Sequence, residues 1–310
     1  MEPYATGADS RSSGAQGCWS LARGEPGYPE ALLELERPPE RLWGVGNREL
    51  LSGLEREQAV TIVGARRSGA HGRGIAARIA SDVAAAGLVV VSGMAFGCDS
   101  AAHEGALSAD GLTLAVLAGG PDVVYPPSKR GLYRRILAAD GAIVSEHPPG
   151  TPPRRWGFPA RNRIMAALSG LTLVIEGRAA SGTRITAEEA MRLGREVAAV
   201  PGSVTSALAE LPNELIRDGA HLVRDGQDVL DLVLGVGVAT VERSGPRLEA
   251  ELRPVLEAVE RGATSADAVA AAAGLDGEAT AVALARLELM GYVSVDAFGA
   301  INRTQLRPPG

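Results

Sequence analysis

The densest chemistry in the chain lies between residues 152 and 169, in the run PPRRWGFPARNRIMAALS. It sets Arg154, Arg155, Arg161 and Arg163 among Trp156 and Phe158, with Asn162 where a helix is expected to start. Arginine holds phosphate through a planar fork of parallel donors. An exposed ring stacks a nucleobase for about 1–3 kcal/mol and accepts any base. Arginines interleaved with aromatics therefore point to a single-stranded nucleic acid. Phe158, between Gly157 and Pro159, is expected to be exposed. Trp156 reads equally as a stacking ring or as an anchor under the loop.

Two further segments could hold anions. VGARRSGAHGRG, residues 63–74, offers Arg66, Arg67 and Arg73. Arg66 falls three residues past an apolar run, and two of these three arginines read as solvated surface groups. EGRAASGTRITAEEA, residues 176–190, offers Ser181, Gly182 and Thr183 between Arg178 and Arg184. Thr186 and Glu189 have capping-box spacing and are expected to open a helix. The three residues before them form a small nest of N–H groups. By itself this loop is only a capped helix start. Neither segment matches GxGxxG or GxxxxGK[ST], so a dinucleotide cofactor and a P-loop are not supported.

Catalytic patterns are missing. His71, His103, His147 and His221 lack metal-ligand spacing. Nothing resembles a nucleophile elbow or a paired His and Cys motif. Asp99 and His103 stand four apart on one helix and are read as surface or capping groups. Glu176 is the one carboxylate expected at the ligand edge. No catalysis, cofactor or metal is expected.

The elements that must position these residues follow from periodicity. Apolar runs begin at Val60, Leu88, Thr113, Ala142, Leu171 and Val197, and helical stretches separate them. Such alternation indicates a parallel sheet covered on both faces, a doubly wound, Rossmann-like α/β domain. Ligands meet such sheets at the carboxyl ends of the strands. There the chain places Gly64, Gly93, Gly119 with Gly120, Gly177 and Gly202, an expected phosphate-binding rim. The expected organisation is a disordered tail (1–18), a lead-in with a short helix broken at Pro38-Pro39 (19–56), the Rossmann-like domain (57–235), a linker (236–249) and a C-terminal unit (250–310). Three helices and a hairpin make that last unit winged-helix-like.

The whole chain has a formal net charge of −6, so any nucleic-acid site must be a local basic patch. Lys129 is the only lysine, and arginine carries nearly all the positive charge. Two cysteines, Cys18 and Cys98, exclude a disulfide framework. No apolar run reaches the ~18 residues of a membrane span. The N-terminus has no signal pattern, so a cytoplasmic protein is expected.

Taken in order, IVGARRSGAHG, VVVSGMAFGCDSAAHEGAL, TLAVLAGGPDVVYP, SEHPPGTPP, FPARNRIMAALS, LVIEGRAASGTRITAEEA, VAAVPG and NELIRDGA closely resemble the DNA-processing protein A (DprA/Smf) family over residues 57–232. That resemblance implies a homodimer which binds single-stranded DNA at the strand ends, protects it during natural transformation and loads a RecA-type recombinase. By position it implies a phosphate contact from Arg66, a basic contact from Arg155, a base contact from Phe158, an RNR motif in Arg161, Asn162 and Arg163, and the SGT loop of Ser181, Gly182 and Thr183. Arg67 beside Arg66 and the strand-end Gly93, read from the loops themselves, are expected to join them as DNA-binding residues. The chain departs from the family after the sixth strand. Ala209, Leu211 and Pro212 interrupt a pattern of which Asn213 remains, and Arg184 replaces an aliphatic residue. The segment upstream is too short for the full N-terminal helical domain of many relatives.

The C-terminal unit resembles the family's winged helix, a fold that often reads DNA. Here residues 251–310 hold eight acidic residues against five arginines, and the third helix, EATAVALARLELMG, has one arginine. Protein contact is the better reading. Two other functions compete: an enzyme cleaving nucleoside monophosphates at the glycosidic bond, suggested by Ser181-Gly182-Thr183 with Glu189, and a nucleotide-sensing module. Neither needs the RNR and Phe158 segment.

Overall fold

The computed structural model describes residues 17–241, 243–296, 299–304 and 306–308. They form two compact units that divide between Ala239 and Thr240. The expected tail lies outside the described residues, apart from Gly17 and Cys18.

The first unit runs β1 (Trp19–Ala22), β2 (Arg41–Gly46), α1 (Arg48–Ser52), β3 (Ala59–Val63), α2 (Ala70–Ala85), β4 (Val89–Ser92), α3 (Cys98–Ser108), β5 (Thr113–Val116), α4 (Arg130–Ala138), β6 (Ala142–Ser145), α5 (Gly157–Ala167), β7 (Leu171–Val174), α6 (Gly182–Arg192), β8 (Glu196–Ala199), α7 (Glu210–Arg217), β9 (His221–Leu222) and α8 (Gly226–Leu234). All nine strands join one sheet in the order β1-β2-β6-β5-β4-β3-β7-β8-β9. From β6 to β9 neighbours pair in parallel, and β2 and β1 close one edge antiparallel.

Every residue of β3, β4, β5, β6 and β7 is buried. Helices cover both faces, so these strands read as continuous Val, Ile and Leu rather than alternating. α2 buries Ala76, Ile79, Ala80 and Val83 along one stripe, as helical spacing requires. Truncating a fully enclosed side chain such as Ile62 to Ala costs about 2–5 kcal/mol.

The lead-in does more than its sequence suggests. Residues 19–56 supply the antiparallel edge, with Leu21, Leu32, Leu42 and Leu51 fully buried in the core. The strand Trp19–Ala22 is too short to show a period, so pattern reading finds only the helical turn at Glu30–Glu34.

The chain lays down β3, β4, β5 and β6 in one direction, then crosses back to place β7, β8 and β9 on the other side of β3. That reversal opens a crevice beyond the carboxyl ends of β3 and β7.

The second unit contains β10 (Arg243–Ser244), α9 (Arg253–Glu260), α10 (Ala266–Ala273), α11 (Gly277–Leu289), β11 (Val293–Val295), β12 (Ile301–Arg303) and β13 (Leu306–Arg307). Three helices and the β11–β12 hairpin make a winged helix around its own core of Val255, Leu256, Val269, Leu287, Tyr292 and Ile301. Part of the expected linker belongs here, because β10 pairs with β13 and Leu248 is buried. Among the described residues no single helix is long and apolar enough to cross a membrane.

Candidate nucleic-acid interface

The crevice between β3 and β7 opens into a cavity of about 810 Å³, within the ~300–1,000 Å³ range of ligand sites. The loop after β3 lines it with Gly64, Ala65, Arg66 and Arg67. Asp99, at the start of α3, and Tyr125, after β5, enter from one side. Arg178 and the start of α6, with Ser181, Gly182 and Thr183, close the other.

α5 supplies the wall between them. Its first turn holds Pro159, which is tolerated there because first-turn N–H groups have no helical acceptor. The helix therefore starts five residues before Asn162, not at it. Side chains three and four apart share a helix face, so Phe158, Arg161, Asn162 and Met165 all line the cavity. Arg163 does not line it, and pairs instead with Glu146 at 2.5 Å. The RNR motif thus splits: two residues serve the cavity and the third ties α5 to the loop after β6.

The floor is made of buried polar groups. Arg161 is 4% exposed, lies 3.8 Å from Asp99 and donates to the Val116 carbonyl at 3.1 Å. Burial pushes Arg161 down to about 10 against the pull of Asp99, and burial raises the Asp99 carboxyl. Gly93 faces this guanidinium, since a Cβ there would fall 1.5 Å from Arg161 Nη1. Gly93 therefore makes room for Arg161 and does not line the cavity. Asn162 donates from Nδ2 to the Gly182 carbonyl at 3.0 Å, which joins α5 to α6.

The rim is cationic. Five arginines and one aspartate line the cavity, and that aspartate is already paired. Among the described residues, Arg66, Arg67, Arg155 and Arg178 form no ion pair. All four are exposed. The Arg66 guanidinium lies 4.6 Å over the Phe158 ring, and Tyr125 tilts against that ring with centroids 5.7 Å apart. Phe158, expected to be exposed, is half-buried beside these two neighbours.

Other expectations change as well. α6 begins at Gly182 with Ser181 as its N-cap, so Ser181, Gly182 and Thr183 are the helix start itself. Thr186 is buried inside the helix and Glu189 pairs with Arg192, so the supposed capping box is helix interior. Most strand-end glycines serve close packing. A Cβ on Gly119 would meet the Thr151 carbonyl, one on Gly177 would meet Leu211, and one on Gly202 would meet Ala209. Of that rim only Gly64 lines the cavity. Gly97 has φ +79° and lies against the Ala65 carbonyl, which a Cβ would approach to 2.1 Å, so it locks the β4 loop onto the β3 loop.

Asp99 and His103 are buried, not surface groups. Thr113 Oγ1 donates to the Val90 carbonyl and so accepts from His103 Nδ1–H at 2.7 Å. Burial drives His103 down to about 3, which keeps it neutral. Glu176 does not line the cavity, and its carboxylate lies against Gly72 in the first turn of α2. Where the chain departs from the family pattern, Leu211 fills the core, Asn213 clamps both polar groups of Gly202, and Arg184 pairs with Glu214. Tyr125 was missed by sequence reasoning, although its place after an apolar strand was a usable signal.

The sequence comparisons agree with this architecture. The family model of DNA recombination-mediator protein A matches residues 19–234, and that of the DprA winged helix domain matches residues 239–296. A putative DNA processing protein DprA of Mycobacterium tuberculosis is 41% identical over 257 residues, which is 81% of this chain and 65% of that protein. The chain thus spans just under two thirds of that relative's length. The crystal structure of DNA processing protein A from Streptococcus pneumoniae superposes with a TM-score of 0.64 at 39% identity, covering 69% of this chain and 74% of that one. DNA processing protein A from Helicobacter pylori, described for its single-stranded DNA binding mode, gives 0.62 at 28%, covering 70% and 95%. This chain belongs to the DNA recombination-mediator protein A (DprA/Smf) family.

Proposed function

We propose that the protein binds single-stranded DNA in the cavity between β3 and β7, without turnover, and as a homodimer hands it to a RecA-type recombinase. The observation that carries this reading is the cavity lining: unpaired arginines beside a tilted Phe158–Tyr125 pair, on a chain of net charge −6. Arg66, Arg67 and Arg155 hold phosphates. Phe158 takes a base on the face that Arg66 leaves open or vacates. The N–H groups at Ser181, Gly182 and Thr183 hold a further phosphate at the positive end of α6. Arg161, Asn162 and Gly93 shape the floor. Arg163 acts through Glu146 to fix α5.

Binding of fluorescent oligo-dT and of a matched duplex, each over a salt series, tests this. The single strand binds more tightly, and its affinity falls with salt as phosphate neutralisation releases counterions. Equal or tighter duplex binding, or a flat salt response, rejects the reading. Recombinase delivery is tested by filament nucleation on strands precoated with a single-strand-binding protein, and dimerisation by sedimentation. Glycosidic-bond hydrolysis is disfavoured because the cavity's one carboxylate, Asp99, is tied to Arg161, while Glu176 and Glu189 lie elsewhere. Product analysis after incubation with nucleotides and Mg²⁺ decides it: turnover abolished by Glu176→Gln restores the enzyme reading.

A further inference from the structure

Trp156 has no part in the cavity. It does not line it, and although indole is the largest apolar side chain it is 59% exposed. A core anchor would be enclosed, so the anchor alternative fails. The ring is nonetheless held in place. Trp156 is the N-cap of α5 in αR geometry, and Gly157 N–H donates to the Arg154 carbonyl at 2.9 Å. Gly157 is pressed against the Ala118 carbonyl, which a Cβ would approach to 2.8 Å. His147 meets the indole edge to face, with centroids 5.8 Å apart and planes at 81°. The main chain under that imidazole is tied down, the His147 backbone N–H donating to the buried Ser145 Oγ at 3.0 Å.

A perpendicular neighbour takes at most one face of an indole, and at 59% exposure the ring keeps much of its surface in solvent. The preceding residues, Arg154 and Arg155, are exposed and, among the described residues, form no ion pair. Arg155 lines the cavity, so the cavity rim and the indole are adjacent in the chain.

We propose that Trp156, braced by His147, is a second base-stacking platform that takes the nucleotide leaving the cavity over the Arg154–Arg155 ridge. The inference rests on the single-strand reading above and extends it by one base outside the cavity. A ring already immobilised loses little freedom on binding, so more of its stacking energy appears as affinity. Stacking accepts any base, so the platform lengthens the footprint without adding sequence preference.

The test is an oligo-dT length series against wild-type protein, Trp156→Ala, Trp156→Phe and Phe158→Ala, with folding checked by thermal melts and assembly by sedimentation. Trp156→Ala weakens the longer strands by about fivefold or more, leaves the shortest ones unchanged and keeps the salt slope. Trp156→Phe restores most of the loss. A strand with one abasic site at the flanking position loses affinity for wild type but loses nothing further with Trp156→Ala. If Trp156→Ala binds every length like wild type while Phe158→Ala is impaired, the platform is rejected and the cavity reading stands. If Phe158→Ala also binds like wild type, the cavity reading falls and this inference with it. A change of oligomeric state in Trp156→Ala assigns the ring to a protein interface and overturns the proposal.

Discussion

The crevice at β3 and β7 and the helix α11 each sit where their fold commonly meets ligand, yet their surfaces differ in kind. The crevice presents Arg66, Arg67, Arg155 and Arg178 without carboxylate partners, beside aromatic rings. α11 exposes Glu278, Ala281, Val282, Ala285, Glu288 and Leu289, the last 89% accessible. Its one arginine, Arg286, is engaged by Glu249 and Glu251. Architecture alone therefore does not make a phosphate site. What matters is whether cations reach the surface with no anion of their own to neutralise them, since a paired arginine has little left to offer a phosphate.

The largest expected effect lies in the crevice floor. Arg161→Ala leaves the buried Asp99 carboxylate without its cationic partner, and lowers stability by about 3–5 kcal/mol in urea unfolding. No variant on the exposed face of α11 matches this. A loss below about 1 kcal/mol would mean that water reaches Asp99 and that the floor is open.

Next come the rim contacts. Phe158→Ala weakens single-strand binding by about 1–3 kcal/mol with the salt slope unchanged, because stacking releases few ions. Arg66→Ala and Arg155→Ala each weaken binding and flatten the salt slope by about one unit. If Phe158→Ala alters only the melting temperature, the ring is packing and not contact.

A third prediction concerns pH. Unfolded His103 takes a proton near 6.5, while the folded residue resists protonation down to about 3. Between those values the unfolded state binds more protons, so stability falls as pH drops, by about 1.4 kcal/mol per unit from this residue. Above 6.5 its contribution is fully present. His103→Gln flattens the dependence in urea unfolding at a series of pH values; an unchanged slope shows that another group is responsible.

The smallest effect is expected from the second unit. Removing residues 240–310 changes single-strand affinity less than threefold, about 0.6 kcal/mol, because α11 offers no free cation. Abolished binding by a folded truncation would make the winged helix the principal site and reverse the comparison.

Much of this was legible in the chain. Six parallel strands announced themselves because strands covered on both faces are apolar throughout, and that property survives in one dimension. The winged helix was legible from order alone: three helical stretches and a hairpin follow one another along the chain. The arginines were visible by type, as were Phe158 and the order of the family motifs.

What remained hidden depended on distance through space. Sequence gives Arg161 and Arg163 the same standing, but α5 turns one toward Asp99 and the other toward Glu146. Gly93 looks like a ligand-side glycine until Arg161, far along the chain, is found where its Cβ would be. A four-residue edge strand such as Trp19–Ala22 has no period to read, and only its pairing with Arg41–Gly46 reveals it. The sequence by itself determined which side chains could carry charge, which could stack and which elements would form. Tertiary structure alone decided which charges are spent on one another and which are left for a ligand, because that choice is set by contacts between residues the chain keeps far apart.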